Sequence, residues 1–332
     1  MKKIFKILLN VLAVGVIAFA LVLLVYKNDG DFSQWEISIS ELLAEVIQDD
    51  KEAALTDGTL SILNDTTEYI EIENTEPAEG EQPGYIELYG LEEVDKPEKR
   101  NAQEVLQKLE ELSEEYELVR AVYENVDLYS EEMLANLADN PEMAAYVLGL
   151  LESDGSVTGG FTRAELEAEN PLLLQYDPRW GYFEYGGKPM GITGCGPTCL
   201  AMAILQLTDE TTVTPDKIAE YSMENGYYVN SVGTAWKLLD QFPTLYGLTV
   251  EHPAITEENI KKALDNGDIL ICSVKKGEFT AGGHFIVIYG YDENGFKVND
   301  PKCVARSRRT WTYREFGDQI KRIWSIGQEN GE

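Results

Sequence analysis

The 332-residue sequence has two histidines, His252 and His284, and four cysteines, Cys195, Cys199, Cys272 and Cys303. One of each stands in a setting suited to chemistry. Cys195 lies in Gly194-Cys195-Gly196-Pro197-Thr198-Cys199, followed by the apolar run Leu200–Leu205. The Gly-Pro pair predicts a tight turn into a helix, with proline acceptable in the first turn. Cys195 would then open that helix, where free N–H groups and the helix dipole stabilise a thiolate. Cys199, one turn deeper, reads as a small buried apolar residue. A nucleophilic thiol needs a base. His284 follows Gly282-Gly283 and opens the apolar strand Phe285–Tyr291. Asp292-Glu293-Asn294-Gly295 predicts a hairpin turn, and the returning segment Phe296–Asn299 ends at Asp300-Pro301. An antiparallel hairpin brings Asp300 back beside His284, where a carboxylate can fix the imidazole tautomer and stabilise its charged form. Cysteine, histidine and aspartate in this arrangement make a Cys-His-Asp triad for acyl transfer.

The elements around these residues follow from periodicity and turn signals. Helices are expected near 196–207, 215–225, 234–241 and 256–266, and strands near 268–275, 284–291, 295–299 and 322–326. They make an α+β domain with an antiparallel sheet against the Cys195 helix. The four cysteines are too few for a disulfide scaffold and lack C-x-x-C spacing, and two histidines leave no basis for a multi-histidine metal centre. No cofactor and no metal are expected. His252 reads as a surface residue. Arg306, Arg308 and Arg309 read as a solvated basic run, with contact to an acidic peptide or to the acidic helices upstream as the alternative. Trp180, Tyr182 and Tyr185 suit a substrate cleft or an aromatic core equally.

Residues 171–328 resemble the papain-like cysteine peptidases related to the bacteriocin-leader-processing peptidases, the peptidase C39-like domains. The resemblance rests on Gln175, Gly194–Thr198, Gly283–Phe285 and Asn299–Pro301, in that order, and covers about half the chain. It implies a papain-like fold, with Cys195 as nucleophile, His284 as general base and Asp300 as orienting residue. It also implies that the Gln175 amide helps form an oxyanion hole, with the backbone N–H of Cys195 as the other donor. The implied activity is hydrolysis of peptide bonds through an acyl-enzyme. A cell-wall peptide amidase or acyltransferase on the same fold is the alternative, and a non-catalytic peptide-binding module the second. The sequence carries no G-x-x-x-x-G-K-[ST] signature, so bacteriocin export is not expected.

The rest of the chain positions this domain in space. Formal charge is +3 over residues 1–30, −30 over 31–170 and −5 over 171–332, for a total of −32. That balance argues against nucleic acid as a partner. Ile7–Tyr26 is apolar except for Asn10, and about 20 residues span roughly 30 Å of hydrocarbon. Lys2, Lys3 and Lys6 before it and Asp29 and Asp31 after it predict a signal anchor with a cytoplasmic N-terminus and an extracytoplasmic remainder. Ala18-Phe19-Ala20 leaves signal-peptide cleavage as the alternative. The expected organisation is therefore four parts. Residues 1–27 are cytoplasmic N-terminus and transmembrane helix, and 28–100 an acidic tether. Residues 101–155 form a helical region, and 170–328 the catalytic domain. In the helical region Val105, Leu109, Leu112, Tyr116, Val119, Tyr123 and Val126 predict one amphipathic helix, packed on its own protein or paired as a coiled coil. Ser130 and Asn140-Pro141 read as further helix starts.

Overall fold

The computed structural model describes residues 85–230 and 233–328, which lie within one compact unit, Glu76–Glu332. The expected transmembrane span and most of the expected tether fall outside the described residues. Among those described, no helix is long and apolar enough to cross a membrane.

The upstream layer is built mainly from α1 (Ala102–Glu115), α2 (Glu117–Tyr123), α3 (Glu131–Asp139) and α4 (Ala144–Gly149). Asn101 and Glu104 form a reciprocal capping box at the start of α1, and Ser130 accepts from the Met133 N–H at the start of α3. The single helix expected across Val105–Val126 is instead two. Tyr116 takes an extended conformation (φ −113°, ψ 113°), and Arg120 Nε donates to the Ser113 carbonyl that the break leaves free, at 2.9 Å. The break turns the apolar face. Val105, Leu109 and Leu112 are buried in α1, whereas α2 buries Val119, Ala121 and Val122 and leaves Tyr123 only partly covered. The chain from Tyr85 to Arg100, which the sequence suggests as the end of a tether, is folded. Tyr85 is buried, its ring meets Tyr176 edge-on at 5.5 Å, and its hydroxyl donates to the Glu142 carbonyl.

The downstream layers hold α5 (Cys195–Leu207), α6 (Pro215–Glu224), α7 (Trp236–Gln241), α8 (Glu257–Asp265) and α9 (Val304–Arg308). A small hairpin pairs β1 (Tyr228–Val229) with β2 (Gly233–Thr234). The main sheet comprises β3 (Leu248–Glu251), β4 (Ile269–Lys275), β5 (Gly283–Asp292), β6 (Gly295–Asn299), β7 (Thr310–Trp311) and β8 (Ile320–Gln328). Its spatial order is β3-β8-β4-β5-β6-β7, antiparallel throughout. Side chains alternate across a strand, so each strand feeds two cores. Ile269, Ile271, Phe285, Val287, Trp324 and Ile326 face the α5 side. Leu270, Cys272, Val274, Ile286, Ile288 and Ile323 face the side covered by α8 and by Phe279, Trp311 and Phe316. Burial on both faces explains why β4 is an almost unbroken apolar run. The α+β architecture with a helix against an antiparallel sheet agrees with the sequence.

Candidate active site

α5 is the central helix, with every residue from Gly196 to Ile204 buried. Its first turn holds Pro197, whose missing N–H has no intrahelical acceptor to lose. Gly196 is required by close approach: a Cβ there would stand 2.7 Å from Thr234 Oγ1 in β2. The cysteine that opens this helix is partly exposed, while Cys199, Cys272 and Cys303 are buried and all four thiols are free.

His284 is the second residue of β5, and Asp300 follows the last residue of β6. Asn299 pairs with Val287, so the chain returns to the start of β5 with Asp300 at its tip. His284 Nε2 donates to Asp300 Oδ1 at 2.7 Å, with both side chains almost fully buried. That leaves Nδ1 free to serve Cys195, which lies close enough to the imidazole for each group to shift the other's ionisation. The sequence thus brings Cys195, His284 and Asp300 to one place.

The surroundings tune each group. Burial alone would push the Cys195 thiol up. The hydrogen bond and charge of His284, a backbone hydrogen bond from Phe285 and the charge of Lys302 outweigh it and bring the thiol below its ordinary value. Burial drives Cys199 the other way, well up, as a buried thiol without a partner should go. Burial would lower His284, but the charge and hydrogen bond of Asp300 and the contact with Cys195 raise it to about 9. Burial would raise Asp300, yet Arg306 and His284 hold it down at about 2.

Arg306 is the residue that the sequence hides. It reads as part of a solvated basic run, but it is buried and its Nε donates to Asp300 Oδ2 at 2.8 Å. Its two Nη groups have no hydrogen-bond partner among the described residues. A buried carboxylate needs compensating charge, and α9 turns Arg306 inward to supply it. Arg308 and Arg309 stay outside, on Glu92 and Glu315. Nothing in the spacing Arg306-Ser307-Arg308-Arg309 marks the first arginine as the inward one.

Gln175 is buried and tied to both arms of the site. Its backbone N–H donates to the Pro301 carbonyl at 2.7 Å, and its Nε2 donates to the Gly191 carbonyl at 2.7 Å, just before the Cys195 helix. One amide hydrogen is therefore committed and the second remains. Trp180 and Tyr185 are fully buried core residues, and Tyr182 stacks on Tyr146. His252 belongs to a separate cluster with Asp240, Arg322 and Trp324.

A sequence profile of the Peptidase C39 like family matches residues 170–328. The matched residues carry the helix, the antiparallel sheet and the three side chains described above. A solved structure similar to the chain is the peptidase domain of Streptococcus ComA, a bi-functional ABC transporter involved in a quorum sensing pathway. It is 17% identical, the match covers 41% of this chain and 93% of that one, and the TM-score is 0.33. No curated protein matches the chain.

Proposed function

We propose that the chain is a membrane-anchored cysteine peptidase whose C39-like domain works outside the cytoplasmic membrane and hydrolyses peptide bonds through Cys195, His284 and Asp300. The observation that carries the reading is the convergence of the three side chains: His284 Nε2 donates to the Asp300 carboxylate at 2.7 Å, and Cys195 at the start of α5 interacts with the same imidazole. A lowered thiol beside a raised imidazole favours a thiolate–imidazolium pair as the resting state. The thiolate attacks the scissile carbonyl carbon and a tetrahedral oxyanion forms. The remaining amide hydrogen of Gln175 and the backbone N–H of Cys195 receive its charge. The His284 imidazolium then gives its proton to the departing amine, leaving an acyl-enzyme on Cys195. Water enters, His284 takes its proton, and hydroxide addition to the thioester releases the acid and regenerates the thiol pair. Asp300 keeps Nε2 protonated throughout, so that Nδ1 exchanges the proton with sulfur and substrate.

Membrane anchoring rests on the sequence of residues 7–26 and the lysines before it. The substrate is a peptide or protein reached from the extracytoplasmic side.

The test is Cys195→Ala in the full chain. Cleavage of a peptide library and alkylation by iodoacetamide at neutral pH should both vanish, with the circular dichroism spectrum unchanged. Undiminished cleavage in that variant would overturn the assignment.

A further inference from the structure

Glu142 lies in the turn Pro141–Met143 of the upstream helical region and is only 2% exposed. A carboxylate stripped of water needs donors in return. Glu142 has four. Oε2 accepts from the Val304 N–H at 2.8 Å and the Tyr176 hydroxyl at 3.4 Å. Oε1 accepts from the Ala305 N–H at 3.0 Å and the Leu91 N–H at 2.9 Å.

Val304 and Ala305 are the first two residues of α9. The opening N–H groups of a helix have no acceptor inside it, and here a side chain distant in sequence supplies one. The rest of α9 holds Asp300. Arg306 Nε donates to Asp300 Oδ2 at 2.8 Å, and Ser307 Oγ accepts from the Asp300 N–H at 2.8 Å. The neighbouring Asn140 amide donates to the Lys302 carbonyl, fixing the link between Asp300 and α9 from the same side. A direct path therefore runs from Glu142 through α9 to Arg306, Asp300, His284 and Cys195.

We infer that Glu142 is a positioning residue of the peptidase site, and that the helical region before the C39-like domain is a working part of the catalytic unit. The inference rests on the peptidase reading above. Glu142 touches no reacting atom. It sets the pose of α9 and hence the distance from Arg306 to Asp300, which in turn governs how basic the imidazole is and how far the thiol ionises.

The experiment compares the full-length wild type with E142Q and with the surface control E132Q. The readouts are steady-state cleavage of one library peptide, the pH dependence of Cys195 alkylation by iodoacetamide, and circular dichroism. E142Q should stay folded at low temperature, with kcat reduced at least about ten-fold, toward the ~100-fold that a small misplacement of a reacting group costs, and KM unchanged. Its alkylation midpoint should move up toward that of a free thiol, and E132Q should match the wild type. A folded E142Q with wild-type kcat and alkylation midpoint overturns the inference. If E142Q does not fold, Glu142→Asp keeps the charge with a shorter reach. It should shift both readouts in the same direction to a smaller extent, and a folded Glu142→Asp that shifts neither overturns the inference equally. A wild type whose Cys195 alkylates as an ordinary thiol overturns the peptidase reading and this inference with it. The E142Q result bears on this inference alone.

Discussion

A single proton separates Cys195, His284 and Asp300 from an ordinary set of buried residues, and its placement gives the site a pH range. His284 is raised from 6.5 to about 9, so its contribution to stability is fully present below pH 6.5 and is lost as pH rises through about 9. Asp300 is lowered from 3.8 to about 2, so its contribution is present above 3.8 and is lost as pH falls through about 2. Activity should follow the pair as a bell. The acid limb should lie below the usual thiol range, because Cys195 is lowered. The alkaline limb should fall near pH 9, where the imidazolium loses the proton that the leaving amine needs. A profile of kcat/KM against pH, with the alkylation rate beside it, checks both limbs. A flat profile from pH 5 to 10 would refute the ion pair. At this scale the sequence is legible for Cys195, His284 and Asp300, since a helix start, a strand start and a hairpin turn announce their places. Arg306 and Glu142 are not legible. Their partners are brought by tertiary packing, and neither a basic run nor one acid among many carries a local signal.

The elements that carry these residues differ in how openly the sequence shows them. α5, β4 and β5 appear within a few residues of their expected bounds because each is a long apolar run, and β6 because the turn Asp292–Gly295 fixes where it starts. β3 and β7 are missed because they are short and owe their conformation to the strands beside them. The break at Tyr116 is missed because a stripe with steps of three and four fits one long helix as well as two. Ile271 is fully buried in the core that faces α5, opposite Val287 on one side and Trp324 on the other. Ile271→Ala should cost about 2–5 kcal/mol of stability. Urea denaturation should show it as a lower midpoint with an unchanged slope. Below that midpoint, alkylation of Cys195 should remain as in the wild type, because Val274, not Ile271, stands opposite His284.

The charge total of −32 describes the molecule poorly, since the matched domain lies in the nearly balanced last part. Some of the excess acid is nonetheless used to join the layers. Glu132 meets Lys188, Glu165 meets Arg179, and Glu92 meets Arg308. The Lys188 and Arg308 pairs are exposed and contribute little each, so the more buried contacts decide what must stay together. Tyr146 donates to the Gly181 carbonyl at 2.9 Å, and a side chain at Gly191 would collide with its ring. A chain starting at residue 76 should therefore melt as one cooperative unit and keep its thiol reactivity. One starting at residue 156 lacks Tyr85, Glu142 and Tyr146. It should melt at least several degrees lower, a shift that a loss of about 1–2 kcal/mol produces in a domain of this size. Differential scanning calorimetry of the two chains makes the comparison, and equal melting temperatures would show that the upstream helices are dispensable.

β8 lies between β3 and β4, although it follows every other strand among the described residues. On a ribosome it is therefore the last strand of this sheet to emerge. Until residues 320–328 are out, β3 has no neighbour and Trp324 is not yet behind Phe285, the residue after His284. Pairing across so long a stretch of sequence is slow to form. A growing chain carries its reactive thiol long before it carries a finished sheet, so its maturation is timed by translation itself. A premature stop before residue 320 would leave a polypeptide with Cys195, His284 and Asp300 all present and the sheet beneath them open.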